Sequence, residues 1–185
     1  AIKVTIRAGR PDFCGVVIET QTRGVVLDNL GINGARYATA LAWNEEAWVA
    51  EAKRREPALF IFEYGGNEAS DGVITPDRYG EDARKLIDRA KRAQPEASCV
   101  VIAPSDRADA ESKIPPIVAA LQAAAADRGC MFWNTYEVMG GRGSLRRWRD
   151  EDKAAPDGIH LRPKGYDELV ALLLADLMRD FGKTR

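Results

Sequence analysis

Three times along this chain a short apolar run follows a stretch of helical periodicity, and that alternation restricts the fold more than any other feature. Ala58-Leu-Phe-Ile-Phe-Glu-Tyr64 follows a segment that reads as helix over 35–56. Cys99-Val-Val-Ile-Ala103 follows Tyr79, Ala83, Leu86, Ile87 and Ala90 at helical spacing, and Cys130-Met-Phe-Trp133 follows Ile117, Val118, Leu121 and Ala125. Short apolar runs bounded by turns suit strands buried on both faces, and strands alternating with helices imply an α/β fold with a mostly parallel sheet. Pro115 and Pro116 suit the first turn of their helix and Gly129 its end. A last amphipathic segment, from about Pro163 to Phe181, sets Tyr166, Leu169, Val170, Leu173, Leu177 and Phe181 on one face and is expected to cap the sheet.

The opening of the chain has a different rhythm. Ile2-Lys3-Val4-Thr5-Ile6-Arg7 alternates apolar and polar residues, and runs starting at Gly15 and Gly24 follow, so residues up to about 28 read as short antiparallel strands. The length of 185 residues suits one domain, and 45% hydrophobic with 30% charged residues excludes disordered, collagen-like and coiled-coil chains. With 27 Lys+Arg against 28 Asp+Glu, the net charge of −1 gives no field to hold a nucleic acid, which is not expected as a partner. No apolar span is long enough for a membrane helix. The chain begins with Ala and shows no signal peptide, so it is expected to be processed or cut from something longer.

Cys14, Cys99 and Cys130 fit no zinc spacing. Cys99 and Cys130 each open an expected strand, so a bridge is possible if those strands are neighbours, but two buried free thiols are the favoured reading. A single histidine, His160, must carry any acid–base chemistry near neutral pH, and no metal site or cofactor is expected. In open parallel sheets the active site lies beyond the carboxyl ends of the strands, here after Leu27, Tyr64, Ala103 and Trp133.

Three motifs fall at or beside those ends: Asn29-Leu-Gly31-Ile-Asn-Gly34, then Gly65-Gly-Asn67-Glu68, then Asp157-Gly-Ile-His160. Each is weak alone. In this order and placement they resemble the second, third and fifth sequence blocks of the SGNH hydrolases, the GDSL-type esterases and lipases, over roughly Gly24 to the C-terminus. The resemblance implies a flavodoxin-like three-layer sandwich over 24–185. It also implies that the Gly34 backbone N–H and the Asn67 amide stabilise an oxyanion, with His160 as general base and Asp157 orienting it. The chemistry is self-consistent, because neutral preorganised donors stabilise a carbonyl oxyanion without supplying a competing proton.

The family's first block, which carries the nucleophilic serine on the first strand, is absent. Ser70, Ser98, Ser105, Ser112 and Ser144 are the only serines, and none follows Gly-Asp; Ser105 and Ser144 alone are placed to approach the site. Some members that deacetylate polysaccharides insert a β-sandwich after the first block. Residues 1–23 resemble the tail of such an insertion, which puts the serine and the central strand outside this chain. A complementary N-terminal fragment or chain carrying the serine is then the expected partner, unless Ile2 to Ala8 fills the gap, because a parallel sheet cannot leave a central row of backbone groups unpaired. Gly140–Asp150 holds Arg142, Arg146, Arg147 and Arg149 around Leu145 and Trp148. It reads as a short amphipathic helix, with Trp148 and Arg147 as a possible substrate rim. The expected function is a serine esterase acting on acylated carbohydrate, short acyl groups and acetyl above all. A catalytically inactive carbohydrate-binding protein is the alternative. The resemblance favours export to the periplasm or outside the cell.

Overall fold

The computed structural model of the chain describes residues 3–10, 12, 16–20, 22–72 and 75–183, with only the backbone of 180–183. Two compact units result, Ala1–Gly31 and Ile32–Arg185. In the first, the described residues form neither strand nor helix. The expected antiparallel strands are therefore not formed there; Ile2, Cys14 and Gly15 lie outside the described residues. An extended segment becomes a strand only when a neighbour takes up its backbone N–H and C=O groups, and its alternation says which face wants burial, not whether a neighbour exists. Val25 is 98% exposed and Leu27 82%.

The second unit is an α/β sandwich. In chain order it comprises α1 (Tyr37–Leu41), α2 (Glu45–Arg55), β1 (Leu59–Glu63), a 3-10 turn (Glu68–Ser70), α3 (Pro76–Ala93), β2 (Ser98–Ile102), α4 (Ile114–Asp127), β3 (Met131–Trp133), α5 (Thr135–Val138), α6 (Ser144–Asp150) and α7 (Pro163–Lys183). Local chemistry explains the helix starts. The Asn44 side chain accepts from the Ala47 N–H at 2.8 Å to cap α2, with Glu45 and Glu46 in its first turn and Lys53, Arg54 and Arg55 in its last, matching the helix dipole. Thr75 caps α3 with Pro76 behind it, and the two prolines open α4 where a missing N–H is harmless.

The strands run parallel in the order β1-β2-β3. β2 is covered on both faces, which is why it is an unbroken apolar run. Cys99 and Val101 face a cluster built with α1, α3 and α4, including Tyr37, Leu86, Ile87, Ile117 and Leu121. Val100 and Ile102 face the opposite cluster, with Trp133, Leu145, Trp148 and Leu169. Helix, sheet and helix make the three layers.

The register corrects one expectation. Val100 pairs with Met131, which sets the preceding residues side by side, and Cys99 and Cys130 form a disulfide across a Cα–Cα distance of 4.8 Å. Neighbouring parallel strands in register put both sulfurs at one level, so the reading as two free thiols is overturned.

β1 is an edge strand, and its exposed face is apolar. Ile61 pairs with Val100 and so points to the α7 side, yet it is 47% exposed where Val100 is 5%. The layer that covers β2 and β3 does not reach β1. On α7 itself, Tyr166, Val170, Leu174 and Met178 recur every four residues and are all half exposed or more. The cap expected of this helix is thus real at Leu169 and Leu173 and bare along this stripe; the Phe181 side chain lies outside the described residues.

Candidate active site

Gly34 lies in the turn Ile32–Ala35, closed by the Ala35 N–H on the Ile32 carbonyl at 3.0 Å. Its φ of +76° at the third turn position is the conformation that glycine adopts without strain. The next loop leaves β1 through Gly65, whose φ is +119° and where a Cβ would stand 2.9 Å from the Pro104 ring. That close approach accounts for a glycine between the strand and Asn67.

Asn67 precedes the 3-10 turn but does not cap it. Its side-chain Nδ2 donates to the Ala35 carbonyl at 3.0 Å instead, and Arg36 Nε returns a bond to the Asn67 carbonyl at 3.2 Å. An amide NH2 has two hydrogens, so Ala35 fixes which end of the side chain is nitrogen and leaves a second N–H for another acceptor. Gly34 and Asn67 are therefore brought into adjacent, mutually bonded loops, and Asn67 stays exposed.

The third loop holds Asp157 and His160. Asp157 Oδ1 accepts the backbone N–H of Ile159 at 2.9 Å and of His160 at 3.0 Å, while Oδ2 accepts from the imidazole Nδ1 at 2.8 Å. The three-residue spacing lets one carboxylate close the turn and hold the ring together. Donation from Nδ1 leaves Nε2 as the acceptor, which is the tautomer a general base needs. The backbone N–H of His160, then its ring and the N–H of Ile159, hold the Asp157 carboxyl down at about 2. The pair stays open to solvent, His160 by 69% of its side chain.

The segment after β2 joins these loops. Arg107 is buried; it pairs with Asp109 at 2.6 Å and donates to the Gly66 carbonyl and the Ser70 hydroxyl. The next residue, Ala108, donates its N–H to the Gly158 carbonyl at 2.9 Å. One short segment thus bonds to both the Asn67 loop and the Asp157–His160 loop, all beyond the carboxyl ends of β1 and β2. Sequence reasoning missed Arg107. Its only signal was a charged residue just past the end of an apolar strand.

Three of the five serines are placed elsewhere or occupied. Ser144 is fully buried at the start of α6, Ser70 is bonded by Arg107, and Ser98 opens β2 at the opposite end of the sheet. Among the described residues no serine hydrogen-bonds His160. The proposed rim is also placed differently. Trp148 is 6% exposed, packed in the cluster under α7 with the Lys153 ammonium 5.1 Å from its ring centre, so both helix amphipathicity and burial make it a core side chain and not a stacking platform. Arg147 lies on the exposed side of α6 and donates to the Gly140 carbonyl at 2.9 Å. Among the described residues no three ligating side chains converge to hold a metal, and no helix is long and apolar enough to cross a membrane.

Residues 7–168 match the sequence model of a family described as the GDSL-like lipase/acylhydrolase family. No curated protein matches the chain. Among solved structures it is similar to one described as a peptidoglycan O-acetylesterase in action, at 24% identity and a TM-score of 0.76 over 84% of this chain and 46% of that one. It is also similar to a lipase/acylhydrolase from Enterococcus faecalis (19% identity, TM-score 0.60, 78% and 71% covered). A third is a carbohydrate esterase family 3 protein from Talaromyces cellulolyticus (16%, 0.58, 80% and 70%). At these identities the likeness is one of fold, and the chain spans about half the length of the first.

Proposed function

The chain belongs to the GDSL-like lipase/acylhydrolase family, and from that premise we propose that it removes a short acyl group, acetyl above all, from a carbohydrate hydroxyl by a Ser-His-Asp mechanism. The observation that carries this reading is the Asp157–His160 pair, with Nε2 left free to accept, held in one bonded set of loops with Asn67. His160 takes the serine proton as the hydroxyl oxygen attacks the ester carbonyl. The oxyanion that forms accepts from the Gly34 N–H and the second N–H of Asn67. Collapse breaks the bond to the alcohol, which leaves with the proton from His160. Water, deprotonated by the same base, then releases the acid and restores the serine.

The serine itself we place on a strand outside this sequence, which adds beside β1. The bare face at Ile61 and Leu59, the α7 stripe and the absence of a serine bonded to His160 among the described residues support this. So does the coverage of only 46% of the first similar structure. Residues 1–23 we assign to the tail of a β-sandwich completed elsewhere, in keeping with the exposed Val4, Ile6, Val16, Val17 and Ile18. Carbohydrate as substrate is supported by what the peptidoglycan and carbohydrate esterases of this fold are described as acting on. Export is supported by the Cys99–Cys130 disulfide, since such bonds persist in oxidising compartments.

The test is acetate release from an acetylated polysaccharide by the protein as isolated from its source, followed by labelling with a serine-directed phosphonate. The expected result is turnover, with the label on a segment absent from this sequence. A label on Ser105 or Ser144 would refute the external serine. No turnover and no label would leave a carbohydrate-binding protein in its place.

A further inference from the structure

We propose that Glu68 is a positioning residue, whose carboxylate clamps the Gly34 turn and the Asn67 loop at the spacing two oxyanion donors require. The inference rests on the esterase reading for its purpose and on contacts of its own for its geometry.

Glu68 is 1% exposed, a burial that a carboxylate tolerates only when its lone pairs are used. Oε1 accepts the backbone N–H of Tyr37 at 2.9 Å, and Oε2 accepts the backbone N–H of Gly65 at 2.8 Å. Tyr37 opens α1, three residues after Gly34, and Gly65 lies two residues before Asn67. One side chain therefore bridges the two segments through their main chains. The backbone of Glu68 is fixed in turn, its carbonyl accepting from the Tyr79 hydroxyl at 2.7 Å. On the solvent side the Asn67 bond to Ala35 and the Arg36 bond to Asn67 join the same two segments. Those exposed bonds compete with water, and the buried carboxylate does not, so the clamp sets the distance and the outer bonds set the amide's orientation.

The chemistry selects a carboxylate. Both contacts are N–H donors, so both side-chain oxygens must accept. Glutamine offers one oxygen and one NH2, and the NH2 would face a backbone N–H, donor against donor. Aspartate keeps two acceptors on a stem one methylene shorter and reaches both donors less well. Glu68 touches no reacting atom in this arrangement; it acts through Gly34 and Asn67.

The experiment compares the parent protein, carrying the segment that supplies the serine, with Glu68→Gln and Glu68→Asp. The readouts are p-nitrophenyl acetate hydrolysis and the NMR resonances of the Asn67 side-chain amide and the Gly34 N–H. A full oxyanion donor is worth about 10²–10³ in kcat, so a misplaced pair should cost Glu68→Gln roughly 10- to 100-fold in kcat at an unchanged KM. The Asn67 and Gly34 resonances should shift, with Glu68→Asp intermediate in both readouts. Glu68→Asp decides if Glu68→Gln does not fold. Parental kcat in a folded variant, or a loss carried by KM, would overturn the proposal. If the parent itself has no esterase activity, the functional reading fails and the resonances alone judge the clamp: unmoved Asn67 and Gly34 signals refute it.

Discussion

Opening the Cys99–Cys130 disulfide is the perturbation whose size the structure lets us work out. The two sulfurs join residues 31 apart in sequence, and between them the chain runs through β2 and α4 before β3 begins. Holding the ends of such a loop together in the unfolded chain removes about 12 cal/mol/K of entropy, or about 3 to 4 kcal/mol at 25 °C. Little native strain relief offsets this, because strand pairing already sets Cys99 beside Cys130. At an m-value of about 2 kcal/mol/M, reduction should lower the urea midpoint by about 1.5 to 2 M. It should also raise m slightly, since the reduced unfolded chain exposes more surface. Buried Trp133, at the end of β3, reports the transition by fluorescence with and without reductant. The denatured oxidised protein should show two fewer titratable thiols than the reduced one. Equal thiol counts would show that the bond is not made, and equal midpoints with the bond present would refute the entropic argument.

Three further outcomes follow, two from the site and one from the core beneath α7. His160→Asn should lower esterase turnover by about 10³-fold or more without unfolding the protein, since the ring is largely in solvent and its loss removes the only general base. Asp157 titrates at about 2 against an ordinary 3.8, so the folded chain binds fewer protons between those values than the unfolded one. The stability this lends is present above the unfolded value and lost as pH falls through about 2. A carboxyl carbon titration of Asp157 with its midpoint near the ordinary value would contradict the loop geometry. Trp148→Ala should destabilise by about 3 to 5 kcal/mol through loss of core packing. Turnover per folded molecule should remain intact, and unchanged thermal stability with weaker polymer hydrolysis would restore the rim reading.

The parallel sheet was legible because each strand announced itself twice, by an unbroken apolar run and by the helix before it. Val100 and Val101 face opposite clusters, and only a strand covered on both sides has a use for consecutive valines. The dyad was legible for a local reason: Asp157 and His160 interact across three residues, within the reach of one turn. The disulfide was not, because it depends on strand order and register, which are properties of the whole sheet. Glu68 and Arg107 were hidden for the same reason. The partners that give them their bridging roles lie 31 and 41 residues away, and nothing in a single sequence ties Glu68 to Tyr37 or Arg107 to Gly66. The strands at the start failed differently: their pattern was that of β-structure, but pairing needs a second participant.

That second participant bears on how the chain behaves as a molecule among its own copies. An open β-edge with free backbone groups templates addition of any extended segment, and contiguous exposed apolar side chains make such addition favourable. In this chain both features occur in one unit, on the edge strand that ends at Glu63 and on the stripe from Tyr166 to Met178. Without a completing strand, the exposed apolar surface should lower the protein's solubility as concentration rises. Solubility, more than catalysis, would then be the first property to register whether the sheet has been completed.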